Sequence, residues 1–522
     1  MEQSASHEHG SRVTARRRKY SQEEDDKVVR KFDRKLVFFL AGLYLVSFLD
    51  RSNIGNARIA GMEEDLQTDP PKNDWYEWAL GAFYISYIAC EWMSILWRLI
   101  PAHIYVFAIV MTWGLAAALQ SIVTSYPQLV FLRALLGVGE AAFTGVPFYL
   151  SFFFRREELA YRTAMFISAA PLATSCASSV AYLVLYMTGE GGGGQDYNQS
   201  NWDFIAPWRL LFLIEGLPSV ILSVVAWHKI PDRPETAAFL TPHERLVAKW
   251  RLRDEKRMLE VMSASSSSLS ITSRRSKMKR VSSGLAALKD PGPWLTAAML
   301  FLANMAYASL PVFLPTVLKD MGYSTLTAQG MAAPPYLASF LSVLAVSALS
   351  DGSRSRSPYI IVSALASAAG YLILAVAENL SLNDTIRYCA VYPASIGFFN
   401  VVTLTIAWNI NNGRGAAERG VGFVVLQIVG QCGPLVGTRL YPVEDGPYYT
   451  RGMSACCSAM AGVAVLAWGL RVWYSRLNMK YDHDEGIGDV EEERRLVTGG
   501  HGGSGGGGGG DSTRRVQFRF IL

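Results

Sequence analysis

Charge is scarce in this chain. Only 18% of its 522 residues are Asp, Glu, Lys or Arg, while 50% are hydrophobic. A soluble protein usually carries about a quarter charged residues, so a string of water-soluble domains is disfavoured. Histidine and cysteine are few as well, at seven and six. The histidines show no ligand spacing, and His7 and His9 read as solvated polar residues. The cysteines (Cys90, Cys176, Cys389, Cys432, Cys456, Cys457) fall almost entirely inside apolar runs. Thiols in such places are small packing residues, so neither a disulfide framework nor a metal site is expected. A nucleophile–base set and a nucleotide loop are also missing, so the chain does not read as an enzyme and no cofactor is expected. No short apolar core with a small-residue cleavage site opens the chain, and the first apolar run is expected to serve as the insertion signal. With a net charge of only +5, no nucleic-acid partner is expected either.

What the chain has instead is length without charge. Apolar runs of about twenty residues, enough to cross a bilayer, alternate with short polar intervals, and the mean hydropathy is +0.18. Twelve spans are expected, centred near residues 47, 87, 112, 141, 174 and 218, then 305, 338, 368, 398, 430 and 464. The fold class is therefore an all-α membrane protein with twelve transmembrane helices. The interval 231–292, rich in Ser, Lys and Arg, divides it into six-helix halves at 36–230 and 293–477, with a helix expected near Pro242 to Met258. A basic tail, 1–35, precedes them, and a tail at 478–522, with its Gly505 to Gly510 run, is expected to be disordered.

Lys and Arg set the orientation. Residues 1–35 hold ten of them and residues 229–292 hold fourteen. The alternate loops hold few, among them Arg58, Lys72, Lys319, Arg387 and Arg451. Both termini are thus expected in the cytosol. All three N-x-S/T triplets, at Asn198, Asn379 and Asn383, fall in loops this places outside. Arg274-Arg275-Ser276 and Lys279-Arg280-Val281-Ser282 in the linker read either as targets of a basic-directed kinase or as a polybasic lipid-facing stretch.

Against this apolar background, two runs carry charge. The first holds Asp50 and Arg51, and the fourth holds Arg133 and Glu140. A charge inside lipid costs at least about 2.5 kcal/mol, so such residues rarely occur without a partner or a task. If span one starts near Leu36, Asp50 lies roughly 21 Å along it, about 9 Å below the outer face. Arg133 enters from the other side to a similar depth. Arg133 and Glu140 are seven residues apart, close to two turns, and share a helical face on which Gly137 clears space. The economical arrangement is an Asp50–Arg133 ion pair, with Arg51 free to bind an anion through its planar fork of donors. Asp50 and Glu140 are then the proton-coupling candidates, and Arg133 is structural. A static charge cluster fixing helices one and four is the bland rival, but it would leave Arg51 unpaired. Glu91 and Glu215 have weaker claims to function. The second half offers neutral groups, Asn304, Tyr307, Tyr336, Asn400, Asn409, Gln427 and Gln431. Of these, Tyr307, Asn304, Asn400 and Gln427 are the substrate-binding candidates, although such groups more often bond helix to helix.

Local motifs carry a resemblance. Asp50-Arg51-Ser52-Asn53-Ile54-Gly55-Asn56-Ala57 and Arg133-Ala134-Leu135-Leu136-Gly137-Val138-Gly139-Glu140-Ala141 resemble the fungal anion:cation symporter branch of the major facilitator superfamily, which includes allantoate, nicotinate and vitamin permeases. So do Trp208 through Gly216, Pro231-Asp232-Arg233-Pro234, Phe313-Leu314-Pro315-Thr316 and Ala333-Pro334-Pro335-Tyr336. The similarity covers roughly residues 33 to 478. It implies proton-coupled import of a small organic anion across the fungal plasma membrane by a monomer, its partners being substrate, protons and the lipid bilayer. The superfamily's acidic loop signature is missing between spans two and three (Leu96 to His103). Its remnant, Ser350-Asp351-Gly352-Ser353-Arg354-Ser355-Arg356, implies structural or gating roles for Asp351 and Arg354. Proton-antiport efflux of a toxin or drug, and a nutrient sensor that does not transport, remain open as alternatives. Efflux is kept open by the Gly430-Gln431-Cys432-Gly433-Pro434 run.

Overall fold

The computed structural model describes residues 20–68, 74–188, 205–265, 288–413, 416–498 and 520–522. His7, His9, Lys72, Asn198, both basic-Ser stretches of the linker and the Gly505–Gly510 run lie outside the described residues. The regular structure described is helical throughout. Its long elements are α1 (Gln22–Phe32), α2 (Phe38–Ala57), α3 (Trp75–Cys90), α4 (Ala102–Leu119), α5 (Tyr126–Phe143), α6 (Ala169–Thr188), α7 (Pro207–Lys229) and α8 (Pro242–Ser265). After these come α9 (Pro291–Asp320), α10 (Thr325–Gly352), α11 (Ser357–Ala375), α12 (Asp384–Asn412), α13 (Ala416–Gly430) and α14 (Thr450–Thr498). All twelve expected span centres fall on helices. Ten helical segments among the described residues are long and apolar enough to cross a membrane. The two that fall short are α2, which carries the charges, and α3, whose α-helical part is only 16 residues before it tightens into a 3₁₀ stretch at Glu91–Arg98.

Helices α2 to α7 pack chiefly on one another, as do α9 to α14; α2 against α9 and α6 against α10 join the two groups. The linker and both chain-end helices mark one end of the bundle, here the linker end. At the opposite, far end the groups touch closely. Gly55 has no side chain because a Cβ there would stand 2.1 Å from the Val312 carbonyl oxygen. Gln329 donates to the Asn56 carbonyl at 3.1 Å and Ser175 to the Ala333 carbonyl at 3.0 Å. Pro335 inside α10 leaves the Met331 carbonyl without its helical donor, and the Tyr388 hydroxyl replaces it at 3.0 Å.

Two sequence expectations are corrected at the linker end, and the structure fixes the partner of Asp351 there. The segment 1–35 is not all tail. Its residues 22–32 form a helix with a Ser21/Glu24 capping box, and it is docked by ion pairs. Buried Asp25 meets Arg251 at 2.7 Å and Arg155 at 3.0 Å, Arg251 also meets Glu158 at 2.7 Å, and Arg162 holds Asp33 at 2.6 Å. Lys31 bonds Glu244 at 2.6 Å. Burial alone would raise the Glu244 carboxyl, yet Lys31 and the Thr241 amide and hydroxyl leave it below its ordinary value. The expected linker helix is present as α8. Nor is 478–522 wholly disordered: α14 continues to Thr498, and residues 520–522 are seated against the bundle. Finally, Asp351 pairs with Arg356 and not Arg354, whose backbone turns left-handed at φ 50° and points it into solvent.

Candidate substrate and proton site

The site grows from three helices whose charged faces have been turned inward. On α2, Tyr44, Phe48 and Arg51 follow at four- and three-residue steps and so share one face. On α3, Phe83, Tyr84 and Tyr87 do the same. Gly137 of α5 lies against this stretch, where a Cβ would come 2.3 Å from the Phe83 carbonyl and the Ser86 hydroxyl. The space read from sequence at Gly137 is thus filled by α3 and not left as a void.

Arg51 is not free. Its Nε and Nη2 both donate to one oxygen of Glu140, at 2.9 and 2.5 Å. The Glu140 side chain is fully buried and that of Arg51 is 11% exposed. The guanidinium sits within 5.3 Å of the Phe48 ring centre and 5.1 Å of those of Phe83 and Tyr87. Such cation–π contacts are worth roughly 0.5–2 kcal/mol each, more when dry.

The expected Asp50–Arg133 pair is absent. Asp50 turns toward α7 and accepts a 2.6 Å bond from Ser219, leaving its second oxygen without a protein partner. Arg133 donates at 3.2 Å to the Arg51 carbonyl, shares the Phe83 ring at 5.5 Å, and leaves two of its nitrogens unmatched. That contact does place Arg133 at the depth of residues 50–51, as helix arithmetic requires. Ser219 and Gly114 explain the swap. A Cβ at Gly114 would stand 2.8 Å from that of Ser219, so only glycine on α4 lets α7 bring this hydroxyl in. Glu215, one turn before Ser219, is buried with neither carboxyl oxygen bonded, and so is Glu91. Of these four buried acids only Glu140 meets an arginine. Sequence reasoning found all six groups but missed Ser219, for which a lone serine in an apolar helix gives no signal.

Between the two helix groups lies a cavity of about 80 Å³, room for a few waters at ~30 Å³ each. Arg51, Tyr44, Tyr84, Tyr87 and Phe166 line it from the first group, and Asn304, Tyr307, Phe423, Gln427 and Gln431 from the second. Arg51 is its only basic residue among the described lining. Of the four substrate-binding candidates from the second group, Tyr307, Gln427 and Asn304 line the cavity, and Asn304 also donates to the Gly430 carbonyl at 3.0 Å. Asn400 does not; it bonds the Ser342 hydroxyl at 3.0 Å and holds α12 to α10. A larger hollow, about 370 Å³, opens at the far end beside Arg58, Glu63, Lys319, Asp320 and Tyr449. Its charges are largely spent, Arg58 on Glu63 at 2.8 Å and Asp320 on Tyr449 at 2.5 Å. It reads as a vestibule and the smaller cavity as the site.

Two helix groups around a small polar cavity with buried charge define a membrane transporter. Residues 40–438 match the Major Facilitator Superfamily, and the chain belongs to that family. An uncharacterized transporter of Schizosaccharomyces pombe, C1683.12, is 30% identical over 87% of both chains. The major facilitator-type transporter hxnP of Emericella nidulans is 28% identical over 90% of this chain and 91% of its own. Among solved structures, the Escherichia coli xylose transporter XylE, in a partially occluded inward-open conformation, aligns with a TM-score of 0.60 at 13% identity, covering 83% of this chain and 97% of XylE. The chain is a transporter of this type and not an enzyme.

Proposed function

We propose that this transporter imports a small organic monoanion, a carboxylate, together with protons, and that it belongs to the anion:cation symporter branch. In this reading all twelve helices cross the membrane as two six-helix halves, 36–230 and 293–477, with the linker end in the cytosol of a fungal cell and the far end outside.

The observation that carries the reading is Arg51 on the wall of the cavity, held from behind by the fully buried Glu140. A guanidinium held on one carboxylate oxygen can exchange that oxygen for a substrate carboxylate, provided Glu140 gives up its charge. A proton arriving from the far side neutralises Glu140 and releases the fork of Arg51. The substrate carboxylate then takes the fork bidentately, with its body among the tyrosines and the Asn304, Gln427 and Gln431 amides. When the cavity opens to the linker end, Glu140 loses its proton and reclaims Arg51, and the anion leaves. Proton and substrate thus travel together because each is needed to keep the dry site neutral. The membrane potential opposes a monoanion by about 2.3 kcal/mol per 100 mV, and one proton cancels that penalty. Asp50, bonded by Ser219 and close to Glu215, is the second proton site. One fold relative is a D-xylose-proton symporter, which is in keeping with proton coupling.

The test is uptake of a panel of labelled carboxylates by transport-deficient yeast at two external pH values. At least one monoanion should accumulate faster at the lower pH, and Arg51→Gln should remove that uptake at least tenfold with surface expression retained. Export of the label, or uptake indifferent to Arg51, would overturn the reading in favour of efflux or another site.

A further inference from the structure

Residues 520–522 are held against the bundle by a set of specific contacts. The Phe520 ring stacks on Tyr474, with centres 4.6 Å apart and planes 8° from parallel, and it is 4% exposed. Asn478 reads both backbone groups of Phe520, accepting from its N–H and donating to its carbonyl, each at 2.9 Å. Asn412 does the same for Ile521, at 2.8 and 3.1 Å, and the Trp408 indole adds a 2.7 Å bond to the Ile521 carbonyl. The Leu522 carbonyl accepts from the Arg356 and Ser357 amides at 2.6 and 3.3 Å and from the Ser355 hydroxyl at 2.8 Å.

We propose that the linker ends of α11, α12 and α14 form a binding site for an extended, aromatic-led apolar tripeptide, that Phe520-Ile521-Leu522 of this chain is its occupant, and that occupancy slows the transport cycle. Three properties support a built site. Side-chain amides of two asparagines on different helices each meet one residue's N–H and C=O, which imitates the pairing of a strand and demands an extended backbone. The receiving groups are covered: with the tripeptide in place Trp408 is fully buried and Asn412 is 7% exposed, and the tripeptide's backbone satisfies their polar atoms. The first turn of α11 supplies the Ser357 amide that points at Leu522, as helix N-termini do for acceptors.

The position explains the consequence. Alternating access moves one helix group against the other, and α12 is a helix of the second group that packs across on Arg156–Ile167 of the first. The tripeptide ties the end of α12 to α14 and to the segment that follows α10, where Arg356 is also paired with Asp351. An occupied site therefore holds α12 in the arrangement seen here, and an empty one frees it. This inference does not depend on Arg51 or on the identity of the cargo.

The experiment compares the full chain with a version lacking residues 520–522 and with Phe520→Ala, using amide hydrogen exchange and, in proteoliposomes, substrate exchange. The Arg356 and Ser357 amides should exchange at least tenfold faster in both variants, and turnover should rise several-fold. Adding a synthetic Gln-Phe-Arg-Phe-Ile-Leu peptide to the shortened protein should restore protection and slow turnover again. Unchanged exchange at those two amides would overturn the site; faster exchange with unaltered turnover would overturn the brake. Asn478→Ala is a second probe that leaves the tripeptide intact and should give the same pattern.

Discussion

At the scale of single residues, the decisive fact is which neighbour each buried charge chooses. Asp50 and Arg51 are adjacent, so about 100° of helix rotation separates them. Only one of the two can face Glu140. Sequence spacing fixed Arg133 and Glu140 on one face and put both helices at matching depth, and the structure agrees. It could not fix the rotation of α2, which is set by packing: Gly114 admits Ser219, Ser219 takes Asp50, and Arg51 is left to Glu140. The Ser219 hydroxyl should therefore matter more than its size suggests. Ser219→Ala leaves both oxygens of a buried carboxyl without a partner, and stranding a buried polar group costs about 1–3 kcal/mol. Turnover is expected to fall by about tenfold or more while Ser219→Thr retains most of it, as read from initial uptake rates normalised to surface protein. Equal rates in Ser219→Ala and the parent would separate Asp50 from the coupling chemistry.

At the scale of elements, the span positions were legible because apolar length leaves a strong imprint on sequence. Segments whose order depends on contacts with distant residues were not. Helix α1 looks like part of a charged tail until Arg251, 226 residues away, meets Asp25. The seat of residues 520–522 was invisible for the same reason. Glycine is the residue that records such contacts, and Gly55 is the clearest case. With the Val312 carbonyl 2.1 Å from where its Cβ would be, any side chain there holds α2 and α9 apart at the far end. Gly55→Val is expected to reach the membrane yet lose nearly all transport. A Gln329→Cys probe in the same protein should label faster from the outside than it does beside Gly55. Normal transport by Gly55→Val would show that the close approach of these helices is not part of the cycle.

At the scale of the whole molecule, two groups of six helices enclose a cavity too small for a cargo of any size, since sites for organic ligands usually run to about 300–1,000 Å³. The far end is closed by backbone contact, and the side chains of both groups nearly fill the middle. In this arrangement the cavity's arginine is occupied by its own acid. In the proposed mechanism this pairing keeps protons and anions from leaking singly. The measurement that tests this most directly is a pair of assays on Glu140→Gln in proteoliposomes. Exchange of labelled for unlabelled substrate should survive, because a neutral residue 140 leaves Arg51 available. Accumulation driven by an inward proton gradient should be lost. Accumulation at the parent's level in Glu140→Gln would contradict the exchange of partners at Arg51 on which the account rests.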